Sequence, residues 1–198
     1  NSYLELKNLV GNKLEDVSNL IKIKLASEIN LIQKMTDHHL TSGGKRIRPL
    51  LTLATSKLCG YKDGSRDINL AACVELIHSA TLLHDDVIDN SELRRGVKTS
   101  NSVWGNQSSI LVGDYLFSRC FELMVSDGSI EILKLLSSTS SKIAQGEVLQ
   151  LEHKGEIDVL EETYFNIINM KTAALFSAAA RVGACITNKS KKEKDALE

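Results

Sequence analysis

The chain has 198 residues, with 24 Lys+Arg against 25 Asp+Glu and a net charge of -1. A single domain spanning 1–198 is expected, large enough to hide roughly 70% of its unfolded surface. Wholesale disorder and a surface built to grip nucleic acid are both excluded by this balance of apolar and charged residues. One proline and 5% aromatic residues suit an all-β sandwich or barrel poorly. The expectation is all-α: a bundle of long antiparallel helices.

From the amino end, Leu14, Val17, Ile21, Leu25, Ile29 and Ile32 predict one long helix ending near Thr41. Ser42-Gly43-Gly44 breaks it, and Pro49 opens the next helix as a first-turn proline. A polar loop covers 60–65. The most apolar helix of the chain follows over 68–90, and then a loop over 94–105 holds the only tryptophan, Trp104. Further helices are expected over 108–125 and 130–151, separated by a turn at Ser126-Asp127-Gly128. A charged linker over 153–158 leads to a long helix over 160–187.

Cys59, Cys73, Cys120 and Cys185 are scattered and never form a Cys-x-x-Cys pair. They read as core fillers of a reducing compartment. No apolar run reaches the ~18 residues of a membrane span, and no signal-like segment opens the chain. A cytoplasmic location is expected. Asn1 in place of Met, and a polar helical run from Lys189 to Glu198, read as cut ends of a fragment.

The chemistry centres on Asp85-Asp86-x-x-Asp89. On a helix Asp85 and Asp89 lie one turn apart on one side, and His78 falls two turns earlier on nearly the same face. Paired hard oxygens above greasy turns suit Mg²⁺, which keeps several waters and is completed by phosphate oxygens. A solvated acidic helix end is the bland alternative, disfavoured by the apolar turns before it.

Two cationic patches flank this pair: Gly43-Gly44-Lys45-Arg46-x-Arg48 upstream and Arg94-Arg95 downstream. Guanidinium forks grip phosphate, and glycines let backbone N–H groups approach an anion. A helix cap beside a stray charge run would explain the glycines and Pro49 but not the cations, and alone the cluster leaves both readings open. It is not a P-loop, because the required Gly and Ser/Thr are missing. Together the three patches suit two polyanionic substrates with a bridging metal.

SGGKRIRP, HSATLLHDDVIDNSELRRG, GDYLF, AQGEVLQLE and KTAALFSAAARVGA together resemble the trans-isoprenyl diphosphate synthases, most of all the long-chain, octaprenyl-type branch that makes quinone side chains. The resemblance implies the isoprenoid synthase fold and a reaction between two diphosphates. An allylic diphosphate ionises, the double bond of isopentenyl diphosphate attacks the cation, and proton loss leaves a chain one isoprene unit longer.

By the same resemblance, Asp85 and Asp89 bind Mg²⁺ and with Lys171 form the catalytic set. Lys45, Arg48, His78 and Arg95 hold isopentenyl diphosphate, while Arg94, Lys171 and Thr172 contact the allylic diphosphate. Glu147 and Gln150 line the metal site. Ala80 and Thr81 set chain length: small side chains there leave a product tunnel open past farnesyl, with Phe117, Phe121 and Met124 as deeper walls. His84 reads as a packing histidine, and Lys171 taken alone equally as a snorkelling lysine.

A homodimer and a membrane-seeking product are expected, with no transmembrane segment. The family's second Asp-rich motif is absent, so a chain that ends at Glu198 is expected not to turn over alone. The rival readings are a non-catalytic or decayed subunit of the same fold, a terpene cyclase, and an HD-type metal phosphohydrolase built on His84-Asp85. A cyclase has no use for a second diphosphate site, and the phosphohydrolase needs further ligands that His38-His39 does not supply.

Overall fold

The structure, a computed structural model, describes residues 2–198. In chain order it runs α1 (Ser2–Val10), α2 (Lys13–Leu25), α3 (Asn30–Thr41), α4 (Ile47–Leu58) and α5 (Arg66–Ile88). Strands β1 (Leu93–Arg94) and β2 (Val97–Lys98) precede α6 (Ser100–Trp104), α7 (Asn106–Asp127) and α8 (Ile130–Glu152). Last come α9 (Glu161–Ile168), a π-helical segment (Asn169–Ala173), α10 (Ala174–Ile186) and α11 (Lys191–Ala196). The architecture is the expected all-α bundle, and none of its helices is long and apolar enough to cross a membrane.

α5 is the central rod because its sequence is apolar nearly all round. Leu70, Val74, Leu76, Ile77, Ala80 and Leu83 are fully buried, and α7, α4, α2 and α10 surround it. Small residues bring α10 close to α4: a side chain on Gly183 would run into Thr55 and the backbone of Ser56. Beside it the Thr52 hydroxyl donates to the Ala179 carbonyl at 2.9 Å.

Four details differ from the sequence expectation. The single helix expected up to Thr41 is two, α2 and α3, because the chain extends at Ala26 (ψ 132°). There the Ser27 hydroxyl accepts from Ile29 N–H, and the Gln33 side-chain oxygen from Ser27 N–H; such local bonds offer the backbone an alternative to the helix.

The loop expected over 94–105 contains a hairpin and a short helix. Arg95 (φ 53°) and Gly96 (φ 79°) are both left-handed, as the two central residues of a type I′ turn must be, and Arg94 pairs with Val97. The long helix expected over 160–187 is broken in phase by the π-helical segment, where each turn carries an extra residue. Pro49 is the third residue of α4, not the first. It is still in the turn where no intrahelical N–H bond is lost.

Candidate active site

Two cavities lie along α5, one beside His78 and the other at the helix end beside Ile88, ten residues or about 15 Å of helix apart. The first, of about 500 Å³, is lined by Gly44, Lys45, Arg46, Arg48, Glu75, His78, Arg95 and Phe176. The four residues expected to hold isopentenyl diphosphate (Lys45, Arg48, His78 and Arg95) are therefore brought together. The I′ hairpin aims Arg95 back across the α3–α4 connection, where its guanidinium donates to the Gly43 carbonyl. Gly44 has φ 155°, a backbone conformation that residues with a Cβ rarely adopt, and a Cβ there would also press on that guanidinium. The Arg48 guanidinium lies 4.2 Å from the centre of the Phe176 ring, a cation–π stack that leaves its edge for an anion.

Burial makes this cavity select for neutral bases and free donors. His78 is pushed down to about 3, first by desolvation and then by the Arg48 charge. The Arg48 Nε and Arg46 Nη1 are buried without a hydrogen-bond partner among the described residues. Each leaves a donor available at a cost unless a ligand accepts from it.

The second cavity, of about 490 Å³, is lined by Asp89, Glu147, Gln150, His153, Lys154 and Tyr164 together with apolar residues of α8 and α9. At its edge the Lys171 ammonium sits 2.8 Å from Glu147 and 3.8 Å from Asp85. Lys171 is on the π-helical segment. It reaches Glu147 because Gly146 has no side chain: a Cβ there would stand 2.8 Å from the Lys171 backbone nitrogen. Asp85 is raised to about 6, chiefly by desolvation and then by Glu147, with Lys171 opposing and Asp89 adding to the rise.

The donor set fits a divalent cation. Asp85, Asp89 and Glu147 offer hard oxygens, and Glu147 Oε1 is buried without a hydrogen-bond partner among the described residues. The described residues hold no cluster of three or more ligands already arranged around a point. An open set of this kind suits Mg²⁺, which takes its remaining ligands from water and phosphate.

The expected allylic group, Arg94 with Lys171 and Thr172, is only partly assembled. Arg94 is engaged by Asp86 through a bidentate fork of 2.8–3.1 Å, and Asp86 is buried. Thr172 is exposed. Ala80 is fully buried in the core and Thr81 donates to the His78 carbonyl at 2.8 Å; neither lines these two cavities. Of the expected deeper walls, Phe117 packs on the core and Met124 is inside it, but Phe121 is exposed.

His84 turns away from Asp85 toward α7, 3.1 Å from the Ile110 carbonyl and 3.4 Å from Asp114. It fills the space over Gly113. This is the packing role, and it removes the His-Asp pair that a metal phosphohydrolase would use. Glu75, Phe176 and Lys154 were not singled out for either cavity from the sequence, and Arg46 only as a member of the cationic cluster with Lys45 and Arg48. Glu75 carries a weak signal, three residues before His78 on one helix face; Phe176 carries none.

The Polyprenyl synthetase family profile matches residues 29–198. Octaprenyl diphosphate synthase of Escherichia coli (strain K12) is 39% identical over 98% of this chain and 60% of its own length. All-trans-nonaprenyl-diphosphate synthase (geranyl-diphosphate specific) of Rhodobacter capsulatus is 41% identical over 83% of this chain and 51% of its own. Among solved structures, a decaprenyl diphosphate synthase from Rhodobacter capsulatus superposes with a TM-score of 0.94 at 44% identity, covering 98% of this chain and 60% of that one. A polyprenyl synthase from Caulobacter crescentus CB15, complexed with calcium and isoprenyl diphosphate, gives 0.95 at 42%, covering 98% and 59%. The chain thus spans about 60% of the length of the octaprenyl relative.

Proposed function

Since the chain belongs to the polyprenyl synthetase family, we propose that it serves the condensation of isopentenyl diphosphate with an allylic diphosphate, extending a long trans-polyprenyl diphosphate for a quinone side chain. The observation that carries this is the pairing of a cationic and a carboxylate cavity along one helix, α5. Two separate polyanions call for two such sites. A terpene cyclase ionises one diphosphate and has no use for the cationic cavity.

Lys45, Arg48 and Arg95 would bind and orient isopentenyl diphosphate by its charge, with neutral His78 as a donor or acceptor that adds none. Asp85 and Asp89, with Glu147 beside them, would hold Mg²⁺. When bound, Mg²⁺ supplies the electrostatic help that departure of a diphosphate needs. Lys171 is near enough to Asp85 and Glu147 to offset the repulsion between them and to meet an arriving phosphate. Arg94 would act through Asp86, bracing the end of α5 that carries Asp89, and turn part of its charge to the allylic diphosphate. Ala80 and Thr81 would leave room for a growing chain.

We place the reaction in the cytoplasm and the protein in a homodimer. An exposed apolar stripe on α7 (Ile110, Leu111, Phe121 and Val125) supports a second copy as its cover. The test is calorimetric titration of the chain with isopentenyl and farnesyl diphosphates, each with and without Mg²⁺, followed by mass analysis of any product. Isopentenyl diphosphate is expected to bind without Mg²⁺ and farnesyl diphosphate only with it, the two without competition. Competition for one site, or cyclised hydrocarbon as product, would overturn the assignment.

A further inference from the structure

We propose that Arg46 is a third guanidinium of the isopentenyl diphosphate site, held facing the cationic cavity by its backbone conformation and by the charge of Glu75. The inference rests on the reading of that cavity given above and adds to it a member of the cationic cluster that was not among the residues expected to hold isopentenyl diphosphate.

Arg46 stands at the amino-terminal cap of α4 with φ 47° and ψ 46°. That left-handed conformation suits glycine and strains any residue with a Cβ. No helix-capping side-chain bond explains an arginine there, since Arg46 makes none. Its Nη1 is buried and has no hydrogen-bond partner among the described residues. A buried, unmatched guanidinium donor on a strained backbone is unfavourable twice over unless an acceptor arrives.

Glu75 explains why Arg46 stays. It lines the same cavity, and burial raises its carboxyl while Arg46, then Arg48 and Arg95, hold it down. Yet it makes no ion pair or hydrogen bond with any of the three among the described residues. Its charge is felt across the cavity without closing any of their donors. The resulting balance is four cations (Lys45, Arg46, Arg48 and Arg95) against one carboxylate. That surplus matches a fully ionised diphosphate monoester, and without Arg46 it falls one charge short.

Arg46 also borders a neighbouring cavity of about 400 Å³ with Lys7, Asn12 and Ser18, so the test must show which side it serves. Isopentenyl diphosphate is titrated calorimetrically into the chain and into Arg46→Gln, Arg46→Lys, Arg46→Gly and Arg48→Gln, with thermal midpoints measured in parallel. Arg46→Gln should weaken binding at least tenfold, as Arg48→Gln does, with Arg46→Lys between it and the wild type.

Arg46→Gly is the decisive variant, because relief of the left-handed strain should keep its midpoint at or above wild type while affinity still falls. A merely structural arginine would not separate the two readouts. Wild-type affinity in Arg46→Gln beside a loss in Arg48→Gln would overturn the role of Arg46 and leave the cavity's assignment standing. No binding by the wild type, or no loss in Arg48→Gln either, would overturn both.

Discussion

His78 shows at the scale of one residue how a cavity selects its own chemistry. Its proton is held off until about pH 3, whereas an unfolded chain takes that proton up near 6.5. The unfolded state binds more protons between those values, so stability is lost as pH falls through that window and is untouched above it. His78→Gln removes the group, and its melting temperature should fall less steeply from pH 6.5 downward. An unchanged slope would show that other groups govern acid sensitivity.

Lys171 is the opposite case, a cation that lets two carboxylates share a dry place. Lys171→Met should cost about 2 kcal/mol in chemical denaturation by leaving Asp85 and Glu147 without a counter-charge. Mg²⁺ should recover part of that loss. Ala80→Phe tests chain length. The position is fully buried, so it should cost about 1–3 kcal/mol by overpacking and also shorten the product. A stable variant with product of unchanged length would remove Ala80 from that role.

Among the elements, α5, α7 and α8 were legible almost to their ends. Their apolar residues recur at helical spacing, and glycine or a polar loop marks each stop. Three features were not. The break after Leu25 depends on side-chain bonds from Ser27 and Gln33 that the run of Ile29 and Ile32 outweighs in any count of periodicity. The hairpin has two-residue strands, too short for alternation to register. Its turn sets Arg95 in a backbone region where arginine is unusual.

The π-helical segment differs from an α-helix by one residue per turn, which apolar spacing over five positions cannot resolve. For the same reason the cationic set Lys45, Arg48, His78 and Arg95 was readable while Glu75 and Phe176 were not. The first group lies in dense motifs, and the others matter only through which neighbour they face. Helix contact also decides how glycines respond to change. Gly183→Ala drives a methyl into the α4 backbone and should cost about 1–3 kcal/mol by overpacking. Gly113→Ala meets only the His84 ring, which can rotate away, and should cost less; equal costs in thermal melts would contradict this account.

For the whole molecule, the two cavities depend on one scaffold but on different neighbours of α5. The cationic cavity is closed by the α3–α4 connection, the hairpin and α10, and the acidic one by α8, α9 and the linker between them. The exposed stripe on α7 lies outside both, so association and binding should be separable. Phe121→Asp is expected to raise the dimer dissociation constant at least tenfold in sedimentation while leaving titration of isopentenyl diphosphate unchanged. A monomeric wild type would refute the proposed cover.

The π-helical segment ties the two cavities by angle. It carries Lys171 to the acidic cavity, while five residues later Phe176 lies under Arg48 in the cationic one. The segment fits one residue more into its turn than an α-helix does, so deleting any single residue between Asn169 and Ala173 would leave an ordinary turn over nearly the same angle, with α9 and α10 facing as before. Tyr164 and Ile167 would stay on the acidic cavity's wall and Phe176 would stay under Arg48. The extra residue is therefore slack in the shaft that joins the two cavities: a one-residue deletion within α9 or α10 would turn every position beyond it by about 100°, whereas the same deletion here is absorbed.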